Sequence, residues 1–472
     1  MEEFQFIKYK GFDHVFKYSG PWLWWLVGFY LCLPILAYTL LPYLTMNGTI
    51  SGKRKTVSIF VLGDLGHSPR MCYHAKSFSK LDYYVNLCGY LEEQPPFDII
   101  DDINIDIYPI TVTKNTSNLP FVLFAAKKMA VQFFQLLKLL LDFRGTDYIL
   151  IQNPPSIPIL LIVLAYIKVF SRKTKLIIDW HNLNYTILNL KFQNLKHPLV
   201  RILKIYERVL GQFADFNITV TRQMKEFLIK EFSFNKKKII TLHDRPGEQF
   251  KPLKSLGVTK QEILESHDIF RNIQNISKYK ILVSSTSFTP DEDFNLLLSA
   301  LNQYDNSLAE RGLPPILIII TGKGPLKNQF LQKVKQLNFL DNVIIKNAWL
   351  SSEDYPLILS VADLSISLHT SSSGIDLPMK IVDFFGCGIP VITLRFPAIG
   401  ELVKHGTNGL ITKSDKDSNV NESQEIYRLL TEAFTNYELL DKIKQGALKE
   451  SNLRWEENWN NKMGKRFEYS TD

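Results

Sequence analysis

Apolar positions along the chain fall into short unbroken runs separated by longer stretches of helical periodicity. Residues 57–62 (VSIFVL) form one run, followed by a Gly-containing turn and a helix-like pattern over 71–81. A second run at 148–151 precedes Asn153-Pro154-Pro155 and a helical pattern over 157–170. A third, 176–179 (LIID), leads through Trp180-His181-Asn182 to a helix near 199–210, and runs at 217–220 and 239–242 add two strands. Continuous apolar runs alternating with helices predict a parallel sheet buried on both faces.

The pattern pauses at 243–253 (HDRPGEQFKPL), a polar stretch containing Pro and Gly, and then restarts. Runs at 281–284, 316–320, 343–345, 364–368 and 391–394 are interleaved with helical patterns near 294–301 and 325–337. The predicted fold class is therefore α/β, with two doubly wound Rossmann-like domains over 55–245 and 255–450 and a tail over 451–472. Two such domains leave a cleft where the carboxyl ends of both sheets face a ligand.

Two apolar stretches stand outside this alternation. Residues 21–44 (PWLWWLVGFYLCLPILAYTLLPYL) carry no charge and exceed the ~20 residues that span a hydrocarbon core. Trp22, Trp24 and Trp25 at one end and Tyr43 at the other match an interfacial aromatic belt, so a single uncleaved transmembrane anchor after a short segment 1–20 is expected. Lys8, Lys10 and Lys17 upstream balance Lys53, Arg54 and Lys55 downstream, which leaves orientation tied. Residues 119–143 set Lys127, Lys128 and Lys138 against Phe121, Phe124, Phe133, Phe134 and Leu136. A core-facing helix is expected there, with a helix in the membrane interface as the alternative.

Composition narrows the classes further. With 46% hydrophobic, 22% charged and 12% aromatic residues among 472, the chain is not disordered. A mean hydropathy of −0.04 suits one apolar segment attached to a soluble body. The net charge of +8 suits an acidic partner, but no Lys/Arg block is long enough for a nucleic-acid arm, and nucleic acid is not expected. Cys32, Cys72, Cys88 and Cys387 form no C-x-x-C pair and fit a reducing compartment.

Candidate chemistry sits where strands end. Gly63-Asp64-Leu65-Gly66-His67-Ser68-Pro69-Arg70 follows the first strand. Its glycines allow close backbone approach, and Arg70 offers a fork for phosphate oxygens. His181 stands at another strand end, in Asp179-Trp180-His181-Asn182. In the second domain, Ser284-Ser285-Thr286-Ser287 opens a helix with hydroxyls and free N–H groups suited to phosphate, and Thr321-Gly322-Lys323-Gly324 adds one cation. Asp291-Glu292-Asp293 formally spells D-x-D, but acids on a first helical turn favour capping, so no clear ligand set for a divalent cation emerges. The richest cluster is His369-Thr370-Ser371-Ser372-Ser373-Gly374-Ile375-Asp376-Leu377-Pro378-Met379-Lys380-Ile381-Val382-Asp383. Its small-residue loop with Lys380 can cradle a diphosphate, and Asp383, about one turn on, can bind a ribose diol.

Taken together, GDLGHSPRMCYHAKSFS, DWHN, SSTSFTPDEDFNLLLSAL, TGKGP and LHTSSSGIDLPMKIVDFFGCGIPV resemble the eukaryotic chitobiosyldiphosphodolichol β-mannosyltransferase family over nearly the whole chain. The resemblance implies a GT-B glycosyltransferase, with acceptor on the first domain and donor nucleotide on the second. It implies inverting transfer of mannose from GDP-mannose to dolichyl-diphosphate-linked chitobiose, without an obligatory cofactor. By that resemblance, Ser285, Thr286, Lys323, Gly324, Ser372, Ser373, Gly374, Lys380 and Asp383 bind donor, and Gly63, Gly66 and Arg70 bind acceptor. His181, Asp64 and His67 are the catalytic-base candidates. Asp376 falls one residue out of register with the first acid of the Glu-x7-Glu pair of related enzymes. The implied setting is the endoplasmic reticulum membrane, single-pass, with both domains cytosolic and the Asn184 and Asn217 sequons unoccupied. Other transferases of lipid-linked oligosaccharides are implied partners. The alternatives are another membrane-bound transferase of the same pathway or a non-catalytic assembly factor.

Overall fold

A computed structural model describes residues 54–115, 120–289, 292–337, 339, 342–413 and 421–468, together with 25–30, 32, 33 and 36. The expected N-terminal segment 1–20 and most of the expected span 21–44 lie outside the described residues. Among the described residues no helix is long and apolar enough to cross a membrane.

Two parallel sheets carry the architecture. The first holds β1 (Thr56–Asp64), β2 (Tyr84–Tyr90), β3 (Ile105–Pro109), β4 (Tyr148–Asn153), β5 (Lys175–Trp180), β6 (Phe216–Thr219) and β7 (Ile239–Thr241), in the order β3-β2-β1-β4-β5-β6-β7. The second holds β8 (Lys280–Ser285), β9 (Ile316–Thr321), β10 (Val343–Ala348), β11 (Leu364–Ser367), β12 (Val391–Thr393) and β13 (Gly409–Ile411), in the order β10-β9-β8-β11-β12-β13. Every pairing between these strands is parallel. Strands β2, β3 and β13 escape the apolar-run pattern because Asn86, Asp106 and Gly409 interrupt or shorten their runs.

Strand order reverses between β1 and β4 and again between β8 and β11. At such a reversal the connecting helices leave on opposite faces and open a crevice at the carboxyl ends of the strands. The loop after β1, the turn after β5 and the loops after β8 and β11 therefore bear the candidate residues by topology alone.

The helices that position these loops are α1 (Pro69–Lys80), α2 (Phe121–Asp142), α3 (Ile159–Val169), α4 (Asn184–Phe192), α5 (Pro198–Gly211), α6 (Arg222–Lys230), α7 (Phe294–Arg311), α8 (Met379–Gly386) and α9 (Trp455–Trp459). Helix α2 corrects the expectation of a core-facing helix in part. Leu136 and Leu140 pack inside, whereas Leu123, Phe133 and Phe134 are exposed. The stretch is long enough to overhang the sheet, so its first half has no core to face.

The expected tail over 451–472 is also corrected. After the second domain the chain crosses back, and Trp455, Trp459, Met463 and Phe467 enter the first domain's core beside Val57, Phe78, Tyr83 and Tyr148. Phe78 meets Trp459 and Phe467 edge-on at ring-centroid distances of 5.2 and 5.1 Å. The four apolar residues recur every fourth position. Such a stripe drifts around a regular 3.6-residue helix, and the wider π turn at Asn460–Gly464 offsets that drift. Trp459 Nε1 donates to His74 Nδ1 at 3.0 Å, so the crossing segment also supports a polar group inside the first domain.

Trp459→Ala is expected to lower stability by about 3–5 kcal/mol through cavity formation and the lost hydrogen bond. Urea unfolding should show an earlier midpoint, whereas Tyr437→Ala on the exposed start of a second-domain helix should move it little.

Candidate functional site

The first-domain half of the site is built on Asp179, the fifth residue of β5, which is fully buried. Its Oδ2 accepts from Arg70 Nε at 2.7 Å, His181 Nε2 at 2.9 Å and His74 Nε2 at 3.2 Å, and its Oδ1 accepts from Arg70 Nη2 at 2.9 Å. Arg70 Nη1 turns to Asp244 Oδ1 at 2.7 Å and the Leu242 carbonyl at 3.0 Å. Burial alone would push the Asp179 carboxyl up, but the Arg70 charge, with His181 and His74, holds it well below the ordinary carboxylate range. Burial opposes the Arg70 charge too, and Asp179 and Asp244 outweigh it.

These contacts assign the imidazole protons. An indole can only donate, so His74 Nδ1 accepts from Trp459 and its proton sits on Nε2, facing Asp179. Burial holds His74 below its usual pKa, and it stays neutral. His181 likewise gives an Nε2 proton to Asp179, which leaves its Nδ1 as the free basic nitrogen. His181 is partly exposed at the strand end, whereas neighbouring Trp180 is core, its Nε1 bonded to Asn217 Oδ1 at 2.8 Å. A second acid–imidazole pair lies after β1. There His67 Nδ1 meets Asp64 Oδ2 at 2.6 Å, and Asp64 Oδ1 accepts from Glu92 N and Glu93 N at 2.9 and 3.2 Å.

Three expectations in this half are corrected. Arg70 is 1% exposed, and its guanidinium is committed to Asp179 and Asp244, so it presents no fork to a ligand. Gly63 lies within β1, where a Cβ would meet only ordinary contacts. Gly66 is required by protein, since a Cβ there would come 3.0 Å from the Glu93 and Gln94 carbonyls.

The second-domain half centres on an ion pair that the sequence reading missed. Lys380 Nζ, in the first turn of α8, donates to Glu292 Oε1 at 2.7 Å, and Glu292 is buried. Glu292 Oε2 accepts from Thr286 Oγ1 at 2.5 Å and Ser287 N at 2.9 Å. The expected cap is Asp293, which accepts from Asn295 N at 2.9 Å; Glu292 instead turns inward. An acid within a D-E-D run beside a hydroxyl-rich loop was the available signal.

That pairing corrects the roles of Ser285 and Thr286. The Thr286 hydroxyl serves Glu292 and accepts from Phe288 N at 2.8 Å, and the Ser285 hydroxyl pairs with Tyr355 at 2.8 Å and Thr321 at 3.2 Å. Gly324 is likewise needed by protein, because its Cβ would lie 1.7 Å from the Ser287 carbonyl. Lys323 stays exposed, over the Trp349 ring at 3.8 Å. Asp383 is held well above the usual carboxyl range by burial and by Asp244, with Lys380 opposing, and so is protonated at neutral pH. It can both donate to and accept from a diol.

The two halves meet through the loop after β11. Asp376 Oδ1 accepts from the Ser371 and Ser373 hydroxyls, and Gly374 takes a left-handed φ of +75°. Asn182 Nδ2, next to His181, donates to Asp376 Oδ2 at 3.1 Å and Ser372 Oγ at 3.2 Å. Glu401 accepts from Arg222 N, Gln223 N and His243 at 2.8–2.9 Å and so caps α6 from the opposite domain. Among the described residues no group of three or more His, Cys, Asp or Glu is placed to hold a metal ion.

A last buried acid sets the helix that follows His181. Glu207 accepts from Asn153 Nδ2, Asn184 N and Tyr185 N at 2.9–3.2 Å, and so anchors the start of α4. Burial pushes its carboxyl from 4.5 up to about 7 against those three donors. The folded state thus holds this proton more tightly than the unfolded state, so stability is greatest below pH 4.5 and falls as pH rises to about 7. Glu207→Gln should flatten that slope, removing roughly 2–3 kcal/mol of pH-dependent loss, as read by urea unfolding from pH 4.5 to 8.

Residues 266–450 match the family described as Glycosyl transferases group 1. The chain is 97% identical over 472 residues to the chitobiosyldiphosphodolichol β-mannosyltransferase of Debaryomyces hansenii, covering 100% of both. It is 62% identical over 464 residues to the Candida albicans protein of that name, covering 98% of this chain and 99% of the other. The human protein of that name is 34% identical over 464 residues, covering 91% and 97%. Among solved structures, WaaG, a glycosyltransferase of lipopolysaccharide biosynthesis, superposes with a TM-score of 0.61 at 13% identity, covering 86% of this chain and 100% of that one. Anabaena HepE, solved with UDP and glucose, gives 0.58 at 16% identity, covering 85% and 96%. Those two likenesses establish the GT-B fold, and the sequence relatives establish the rest. The chain belongs to the chitobiosyldiphosphodolichol β-mannosyltransferase family of group 1 glycosyl transferases.

Proposed function

We propose that the chain transfers mannose from GDP-mannose to dolichyl-diphosphate-linked chitobiose, with inversion to a β1,4 link. We place this reaction at the endoplasmic reticulum membrane, with both domains on the cytosolic side. The relatives' name supplies the mannose and the diphosphodolichol-linked chitobiose. The observation that carries the reading is the junction at Asn182. There a first-domain imidazole on a buried carboxylate stands beside a second-domain loop built of small residues and a cation.

In this reading the acceptor hydroxyl oxygen attacks the anomeric carbon of mannose, and the bond from that carbon to the diphosphate oxygen breaks. GDP leaves with the electron pair, and the hydroxyl proton passes to a base. His181 is the favoured base, because Asp179 fixes Nε2 and leaves Nδ1 to take the proton and then stabilises the resulting imidazolium. The Asp64–His67 pair is the other candidate, on the loop that meets Glu92 and Glu93. Lys380 retains two N–H donors beyond Glu292. With the N–H groups at the start of α8 and the Ser372–Ser373–Gly374 backbone, it offsets charge on the departing diphosphate. Asp383 meets the ribose, and Lys323 adds an exposed cation.

Purified full-length protein supplied with GDP-mannose and a chitobiosyl-diphosphate lipid should yield a trisaccharide cleaved by β- but not α-mannosidase. Transfer only from another nucleotide sugar, or none at all, would sink the proposal. Lys380→Ala and Asp383→Ala should raise KM for GDP-mannose about tenfold or more, in line with losing one charge-assisted contact each. His181→Ala should cut kcat by about 10²–10⁴ and remove the basic limb from the pH–rate profile. If His181→Ala remains fast and His67→Ala does not, the base is the other pair. Mass spectrometry should find no glycan on Asn184 or on Asn217, which is 2% exposed.

A further inference from the structure

Helix α5 carries two apolar faces. Val200, Leu203 and Glu207 turn to the core. On the opposite side Leu199, Ile202, Ile205 and Val209, with Phe213 just beyond, are 47–61% exposed. At 100° per residue the two stripes are separated on one flank by Arg201, Lys204 and Arg208. The exposed stripe continues onto neighbouring elements. Helix α4 packs beside α5 and exposes Ile187 and Leu190, and α3 exposes Leu161, whose N–H donates to Tyr206 of α5 at 3.1 Å.

A contiguous apolar surface of this kind is far larger than the scattered exposed side chains of an ordinary soluble domain. Its charge pattern selects the occupant. Residues 184–213 contain five Lys or Arg and one acid, and that acid is Glu207, buried and committed to the start of α4. The surface therefore offers apolar side chains flanked by cations and no exposed carboxylate. That is the pattern of a face lying in the headgroup region of an anionic bilayer. It also adjoins the site, because the chain runs from His181 to Ile187 in six residues.

We propose that the exposed faces of α4 and α5 dock on the surface of a membrane containing anionic lipid and bring the first-domain side of the cleft to the bilayer. The lipid-linked acceptor of the reading above gives this docking its use, but the contact itself rests on the surface alone. Cys72, Cys88 and Cys387 are buried and Cys32 is exposed, so a Cys32→Ser chain leaves one added cysteine as the sole accessible label.

The full chain with Ile205→Cys, carrying an environment-sensitive fluorophore, would be reconstituted in phosphatidylcholine vesicles with about 30% phosphatidylserine and nitroxide-bearing lipid. Tyr437→Cys in the second domain, 71% exposed, is the control. Strong quenching at 205 with none at 437 is expected, and quenching at 205 no greater than at 437 overturns the proposal. That second outcome includes a surface occupied by protein instead of lipid. As a functional readout, Ile202→Asn with Ile205→Asn should raise KM about tenfold for a vesicle-borne long-chain acceptor and leave a short water-soluble acceptor unchanged. Equal effects on both acceptors also overturn it. Quenching at 205 without any mannose transfer by the wild type would instead reject the proposed reaction and keep the docking surface.

Discussion

The buried carboxylate of Asp179 is the group on which the first domain and its share of the site both depend. A lone carboxylate at that depth would be neutralised or expelled, because desolvation costs several kcal/mol. It persists because Arg70 supplies a bidentate counter-charge and two imidazoles complete its hydrogen bonds. Each partner is tied elsewhere in turn. Arg70 reaches Asp244 in the stretch between the domains, and His74 is held by Trp459 from the segment that returns after the second domain. Of the four groups, only His181 faces the cleft. The orientation of one imidazole is thereby fixed by the linker, the returning helix and the central sheet together.

The same arrangement couples chemistry to domain contact. Asn182 follows His181 directly and is bonded to Ser372 and Asp376 of the other domain. Asp376 in turn gathers the serines of the small-residue loop. Any rotation of one domain against the other must therefore disturb the loop on one side and the residue beside the imidazole on the other. Domains that meet through polar groups of this type separate at modest cost, which suits a cleft that must admit a nucleotide sugar and release a nucleotide.

Parallel-sheet architecture was legible because its buried strands read as unbroken apolar runs, and the strand-end positions of His181, Lys380 and the small-residue loop followed from that. Chain pattern could not show which polar side chains serve a ligand and which serve the protein. Arg70 beside a Gly-rich turn and Thr286 after β8 look like phosphate ligands, yet both are consumed by carboxylates distant in sequence or hidden in a capping-like run, Asp179 and Glu292. Gly66 and Gly324 likewise serve loop-on-loop packing. The returning segment was readable in principle, since Trp455, Trp459, Met463 and Phe467 recur every four residues. Its destination, across a whole domain, is a tertiary fact that periodicity does not carry.

Charge in the second-domain half is balanced before any ligand arrives. Glu292 offsets Lys380, and Asp383 is held neutral by burial and by Asp244. Positive potential at the start of α8 therefore comes from the helix end and from the unspent donors of Lys380 more than from net charge. An anionic diphosphate bound there would compete with Glu292 for the ammonium group, and losing the diphosphate would restore the ion pair. A fully unpaired lysine would hold nucleoside diphosphate more tightly and release it more slowly. The buried glutamate thus moderates product affinity at the point where a transferase must let its leaving group go.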